Sequence, residues 1–315
     1  MDVVRNIWLD GIMGVVVGDA LGVPVEFKDR SELIEKPVKS MQGYGTYNLP
    51  AGSWSDDSSM TLATLDSLRG GFDPEDIMNR FVRWMTEGKY TPFGETFDVG
   101  NTCCKSIIRY LSTHDIDVCG GSGEKDNGNG SLMRILPVCL YAFEKHQLKE
   151  LTDKEAIEII HIVSALTHAH VRSKIACGLY YYMVKAILED TGSLLECLQE
   201  GLNNGIEFYE HVEIEKKELY HYRRLLDLDE FKDTSVEQIS SYGYVVVTLE
   251  AAIWCLINTK TYSECVLKAV NLGYDTDTVA AIAGGLAGLY YGYEAIPKVW
   301  LDSIHRRKWI EELCK

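Results

Sequence analysis

Residues 3–21 are apolar almost all the way round a helix. Ile7, Trp8, Ile12, Met13 and Val15 to Val17 leave no polar face. Such a helix belongs at the centre of a fold, with other elements wrapped around it. The other strong patterns are also helical. Asp73-Pro74 pairs an Asp cap with a Pro at the first helical position, ahead of Ile77, Phe81 and Trp84. Residues 98–112 carry Cys104, Ile107, Ile108 and Leu111 at helical spacing. Thr152-x-x-Glu155 and Thr261-x-x-Glu264 have the form of capping boxes, and Gly273 supplies a stop after the second. Tyr244 to Thr248 has the composition of a strand but leads into Leu249, Ala252, Ile253 and Leu256, which predicts helix. Residues 189–240 are charged and less periodic, and Glu207 to Leu228 reads as an exposed helix. No repeat, low-complexity tract or linker divides the chain. The expectation is an all-α fold, one domain over residues 1–315 with ten or more helices and a variable segment at 189–240.

A chain of 315 residues can bury a large core. Its formal net charge of -16 disfavours a partner bound through nucleic-acid phosphates, which needs clustered Lys and Arg. A small phosphorylated ligand remains compatible, because backbone N–H groups can hold it. Nine cysteines occur without any C-x-x-C. Cys104, Cys139, Cys177, Cys255 and Cys265 fall among apolar residues and read as reduced core thiols, which points to the cytoplasm. Asp2 and Asp10 around Arg5 do not make the basic start of a signal peptide. The longest uncharged apolar run, Thr278 to Tyr293, is shorter than the roughly 20 residues of a membrane span. No membrane partner is expected, and a monomer is.

Two oxygen-rich stretches stand out. Gly273-Tyr274-Asp275-Thr276-Asp277-Thr278 precedes the small-residue run Val279 to Gly285, and Trp54-Ser55-Asp56-Asp57-Ser58-Ser59 precedes Met60, Leu62, Ala63 and Leu65. Each Asp has an ordinary use as a helix cap that complements the dipole. Together Ser55, Asp56, Asp57, Asp275, Asp277 and Thr278 offer a second one. Converging carboxylates repel, and one would have to take up a proton unless cations neutralise them. Two divalent ions would balance the four charges, at the spacing of about 3.5–4 Å seen in two-ion sites. Neither stretch holds Cys or His, so hard Mg²⁺ or Mn²⁺ suits the oxygens better than zinc.

Three further features accompany them. Gly120-Gly121-Ser122-Gly123 continues to Gly128-Asn129-Gly130-Ser131-Leu132-Met133-Arg134. It is either a flexible linker or a loop whose N–H groups approach phosphate ahead of a helix. It matches neither the P-loop nor the dinucleotide fingerprint. In Leu166-Thr167-His168-Ala169-His170 the spacing of two keeps both imidazoles off one helical face, so at most one, His168, faces a ligand. In Gly18-Asp19-Ala20-Leu21-Gly22 through Glu26, Asp19 on an apolar helix demands a polar partner.

The order of Gly18-Asp19-Ala20-Leu21-Gly22 with Glu26, Trp54-Ser55-Asp56-Asp57, Phe97-Asp98-Val99-Gly100-Asn101-Thr102, Gly128 to Arg134, Leu166-Thr167-His168 and Gly273 to Thr278 resembles the ADP-ribosylglycohydrolases. The likeness is greatest to the bacterial type that removes ADP-ribose from an arginine of dinitrogenase reductase, and it spans about residues 8 to 292. The resemblance implies an all-helical orthogonal bundle around two Mg²⁺ or Mn²⁺ ions. It gives the metal ligands as Ser55, Asp56, Asp57, Asp275, Asp277 and Thr278, and places Glu26 and Asp98 beside them as candidate catalytic carboxylates. Gly128, Asn129, Gly130 and Ser131 match the loop around the diphosphate and distal ribose. Met133 of the same motif joins the substrate-binding set, and His168 matches a ligand-contacting histidine. Ser55 and Ser58 stand where the family more often has Thr, which keeps the hydroxyls. The implied activity is hydrolysis of the glycosidic bond between ADP-ribose and an acceptor, first of all arginine on a protein. Other acceptors (serine, a nucleobase, O-acetyl-ADP-ribose), a non-catalytic ADP-ribose binder and a nucleotide phosphohydrolase are the rivals. Acceptor choice is expected in loops 39–53 and 86–97. Tyr242 and Tyr244 read as core tyrosines, with adenine stacking the alternative.

Overall fold

The computed structural model describes residues 5–189, 192–211 and 213–315. Among them the regular elements are helices, and the extended pairing is confined to two isolated bridges, Gly121 with His168 and Gly128 with Tyr244. The expectation of an all-α bundle holds, and one hydrophobic core runs through it.

The apolar N-terminal helix is Ile7–Gly22, and every residue from Asp10 to Gly22 is buried. It lies antiparallel along the Thr276–Tyr291 helix, and the two meet backbone to backbone. A Cβ placed on Gly14 would stand 2.2 Å from the Gly284 carbonyl oxygen, and one on Gly18 would stand 2.1 Å from that of Ala280. Small residues four apart on both helices make this approach possible. Tyr262 donates its hydroxyl to the Gly14 carbonyl (2.8 Å), and Thr276 donates to that of Gly22 (2.8 Å). With the following turn, Ile7–Val25 is long and apolar enough by composition to cross a membrane, yet 83% of its most apolar window is buried in protein. The uncharged-run test missed it because Asp10 and Asp19 interrupt the run.

The caps fall where the sequence puts them. Asp73 accepts from the Glu75 and Asp76 N–H groups at the start of Pro74–Glu87, and Thr152 with Glu155 completes a box before Asp153–Ala165. Thr261 caps Tyr262–Val270 by accepting from Glu264 N–H, whereas the Glu264 carboxylate reaches Lys260 N–H instead (3.0 Å). Val245–Ile257 is helical as expected. The 189–240 segment departs from expectation. It contains separate helices, Leu194–Glu210, Glu213–Leu219 and Leu228–Lys232, rather than one exposed helix over 207–228. Tyr209, Tyr222, Leu225, Leu228 and Phe231 are buried there, and interleaved charges hid their periodicity. All nine thiols are free, and Cys104 alone is only half-buried.

Arg30 fastens the end of this segment to the second Asp-rich stretch. Its guanidinium donates to the carbonyls of Leu272 (2.7 Å), Val236 (2.5 Å) and Ile239 (2.6 Å). Gly273 next to it has φ +79°, and Phe27 N–H donates to the Tyr274 carbonyl (2.7 Å). The loop bearing Glu26 is thereby tied to the loop bearing Asp275.

Candidate active site

The Asp56–Leu68 helix begins at Ser55, and its N-terminus is held from outside by Asp19 of the central helix. Asp19 accepts from Ser55 N–H (3.0 Å), Ser58 N–H (3.0 Å) and the Ser58 hydroxyl (2.5 Å). The carboxylate that demanded a polar partner in the sequence is therefore a cap for the first Asp-rich stretch, and Ser58 faces it. Ser55 Oγ accepts from Asp57 N–H (3.3 Å) and donates to Asp57 Oδ2 (3.0 Å). Thr278, at the start of the Thr276–Tyr291 helix, donates to the same oxygen (3.1 Å).

Folding thus brings the two stretches together. One oxygen each from Asp19, Asp57 and Asp277 lie within 4.8 Å of one another, as do oxygens from Glu26, Asp98 and Asp277. Burial pushes the Asp56, Asp57 and Asp277 carboxyls well above the usual range, and neighbouring carboxylates (Asp98, Asp19 and Glu26 respectively) add to it. Burial and then Asp98 push Glu26 up to about 9. Burial raises Asp98 and Asp275 as well, and the Asn129 amide opposes it at Asp275. Asp57 Oδ1 and Asp277 Oδ2 are buried without a hydrogen-bond partner among the described residues. A buried carboxylate oxygen without a donor is costly, and a cation supplies what the protein withholds. The donors are all hard oxygens, which fits Mg²⁺ or Mn²⁺.

Beside the cluster opens a cavity of about 540 Å³. Glu26, Asp56, Asp98, Gly128, Asn129, Gly130, Met133, His168, Asp275 and Thr278 line it. Ser55, Asp57 and Asp277 lie buried behind them. Ser131 is not in the wall. It is fully buried, with the Cys177 thiol 3.6 Å from its hydroxyl, because the chain turns inward at Leu132–Arg134. Asn129 links the Gly-rich loop to the cluster, donating to Asp275 Oδ2 (2.7 Å) and Thr248 Oγ1 (3.1 Å). Of the paired histidines, His168 lines the cavity, and His170 caps the Val171–Leu188 helix by accepting from Arg172 N–H (3.1 Å). Burial first, and Arg134 second, push His168 down to about 3, so the ring is neutral.

A family model described as ADP-ribosylglycohydrolase matches residues 3–315. The chain belongs to the ADP-ribosylglycohydrolase family. It is similar to the "ADP-ribosylarginine hydrolase Tri1" of Serratia proteamaculans (strain 568), 32% identical over 306 residues that cover 96% of this chain and 76% of that protein. It is similar to the "ADP-ribosyl-[dinitrogen reductase] glycohydrolase" of Rhodospirillum rubrum, 32% identical with 94% and 89% covered. A solved structure titled "ADP-ribosylglycohydrolase-related protein complex" superposes with a TM-score of 0.78 at 31% identity, over 98% of this chain and 95% of that one. Its membership makes this protein a hydrolase.

Phe27, Tyr242 and Tyr274 also line the cavity of this glycohydrolase, and Tyr47 packs beside Phe27 and Glu26. Tyr47 donates its hydroxyl to Glu26 Oε2 (2.6 Å), and its ring packs on Phe97 (5.0 Å) and Phe27 (6.5 Å). Phe27 is 66% exposed at the rim. Tyr242 is 56% exposed and stacks on Tyr274 at 4.2 Å, so it is a mouth residue and not a core one. Tyr244 is half-buried beneath the Arg172 guanidinium. Phe27, Asp98 and Tyr274 all have left-handed backbones (φ 64°, 52° and 63°), a conformation that costs non-glycine residues energy and collects at functional sites. Adjacency to Glu26 and Asp275 was the available signal for Phe27 and Tyr274. Tyr47 had none. No lining residue among those described is Lys or Arg.

Proposed function

We propose that this ADP-ribosylglycohydrolase hydrolyses the bond between the anomeric carbon of ADP-ribose and an acceptor, with arginine on a protein as the first choice. The observation that carries the reading is the pair of partnerless buried oxygens, Asp57 Oδ1 and Asp277 Oδ2, inside one carboxylate cluster at the floor of a cavity. Ser55, Asp56, Asp57, Asp275, Asp277 and Thr278 would hold two divalent ions, Mg²⁺ or Mn²⁺. Such ions orient ribose hydroxyls and make a water molecule more acidic.

The chain's own groups do the rest. Asp98, half-buried with its carboxyl in the cavity, takes the proton of the attacking water as the C1–acceptor bond lengthens. Charge then builds on the ribose as in other glycoside cleavages. Glu26, held by the Tyr47 hydroxyl, is the competing base, and whichever carboxylate takes the water proton passes it to the departing nitrogen, so that arginine leaves as a guanidinium. Gly128, Asn129, Gly130, Met133 and His168 line the part of the cavity that would receive the diphosphate and distal ribose. The name of the ADP-ribosylarginine hydrolase relative favours arginine over serine or a small ester, and that of the dinitrogen reductase glycohydrolase favours an acceptor on a protein.

The test is a panel of peptides ADP-ribosylated on arginine or serine, with and without Mg²⁺ or Mn²⁺. Free ADP-ribose, released fastest from arginine and abolished by EDTA, is expected. Release of AMP would reassign the protein as a phosphohydrolase, and binding without turnover would make it a receptor for ADP-ribose.

A further inference from the structure

Arg134 is fully buried. Its bonds run to neutral oxygens: Nε donates to the Gly130 carbonyl (3.1 Å), and Nη2 to the Val163 carbonyl (3.2 Å) and Thr167 Oγ1 (2.8 Å). The guanidinium lies over the Phe81 ring, 4.4 Å from its centroid, and Nη1 has no hydrogen-bond partner among the described residues. No carboxylate among the described residues bonds to it. A buried cation without an anion is costly, so its place in the core calls for a cause.

Two of its contacts lead to the cavity. Gly130 belongs to the Gly-rich loop in the wall. Thr167 Oγ1 lies 2.8 Å from Nδ1 of His168. The other ring nitrogen faces the loop, since a Cβ on Gly128 would stand 3.4 Å from His168 Nε2. A guanidinium can only donate. Thr167 Oγ1 therefore accepts from Arg134, and its own proton is shared between two neighbours, His168 Nδ1 and the Cys103 sulfur, of which the nitrogen is the stronger acceptor. A neutral imidazole that accepts at Nδ1 carries its proton on Nε2.

We propose that Arg134 is a positioning residue for the anionic part of the ligand: through Gly130 it fixes the Gly-rich loop, and through Thr167 it holds His168 as an Nε2–H donor to a phosphate oxygen. The proposal rests on the ADP-ribose reading of the cavity. It accounts for a diphosphate held where four carboxylates and no Lys or Arg line the wall: the positive charge sits behind the wall.

The experiment uses the full chain with Mg²⁺. NMR of ¹⁵N-histidine-labelled protein reads the His168 tautomer without any nucleotide, and calorimetry reads ADP-ribose affinity. The wild type and Thr167→Ser are expected to show the Nε2–H form. Thr167→Val is expected to lose that preference and bind ADP-ribose about tenfold more weakly, the effect of one hydrogen bond to a charged group, with little change in unfolding temperature. Arg134→Met should do both more strongly. If that variant fails to fold, the Thr167 pair decides alone. An Nδ1–H tautomer in the wild type overturns the proposal, and so does a Thr167→Val variant that keeps the wild-type tautomer or the wild-type affinity. A wild type with the Nε2–H tautomer and no affinity for ADP-ribose overturns the ligand reading, and the ligand role proposed here with it.

Discussion

Thr278 gives its hydroxyl proton to Oδ2 of Asp57, 3.1 Å away and 221 positions earlier in the chain. The bond joins the N-terminal turns of two helices. It uses one oxygen of Asp57 and leaves the other, Oδ1, without a partner among the described residues. One side of the carboxylate is thereby fixed by the protein, and the other is where the proposed cation would bind.

Asp57→Asn and Asp277→Asn should each remove metal binding and raise the stability of the metal-free protein. The amide relieves the repulsion among buried carboxylates but cannot neutralise an ion. Differential scanning calorimetry with and without Mn²⁺ checks this. Mn²⁺ should stabilise the wild type and shift neither variant, while both variants melt higher than the wild type in EDTA.

Stability of the metal-free protein should fall as pH rises. Glu26 goes from 4.5 unfolded to about 9 folded, and Asp19 from 3.8 to about 6, both chiefly through burial. A raised pKa means the folded state binds the proton more tightly. The stabilisation is complete below the unfolded value and is lost as pH climbs through the folded one, so the window runs from about 4 to about 9. Divalent ions compete with those protons, so the stabilisation they give should grow over the same window. Unfolding midpoints at pH 5, 7 and 9, each with EDTA or Mg²⁺, test the sign.

Asp98→Asn should lower kcat by 100-fold or more, the scale of a general base, and leave Mg²⁺ and ADP-ribose binding within a few-fold of wild type. Glu26→Gln should have the smaller effect on kcat. Steady-state rates beside calorimetric affinities distinguish the two, and the reverse ranking would move the base to Glu26.

Gly284→Ala should cost about 3 kcal/mol, because overpacking a well-packed contact is destabilising. The added Cβ would stand 2.3 Å from the Gly14 carbonyl oxygen, a backbone atom that cannot swing aside. Since Asp19 and Asp277 ride on the two helices that would be forced apart, Mn²⁺ affinity should fall together with the denaturant midpoint.

Much of this was legible in the sequence, and for physical reasons. Caps such as Asp73 and Thr152 act within one turn, so a few adjacent residues suffice to read them. The two Asp-rich stretches could be paired because like charges in one core demand a common solution. Asp19 was legible as needing a polar partner, but which partner was not, because the Ser55 and Ser58 backbone amides are 36 and 39 positions away and leave no mark in composition. Tyr47 resisted likewise: its loop takes its place over Glu26 from tertiary contacts such as Thr46 to the Glu26 carbonyl (2.7 Å). The helices of 189–240 were obscured because their buried faces are narrow and set among charges.

The lining of the cavity, acidic and without Lys or Arg, also dictates an order of arrival. On the proposed reading, a negatively charged nucleotide would meet whatever ionised carboxylates the metal-free floor carries, and cations that neutralise them would lift that repulsion. The ion would then load before its guest, and ADP-ribose affinity should fall when the ion is withheld.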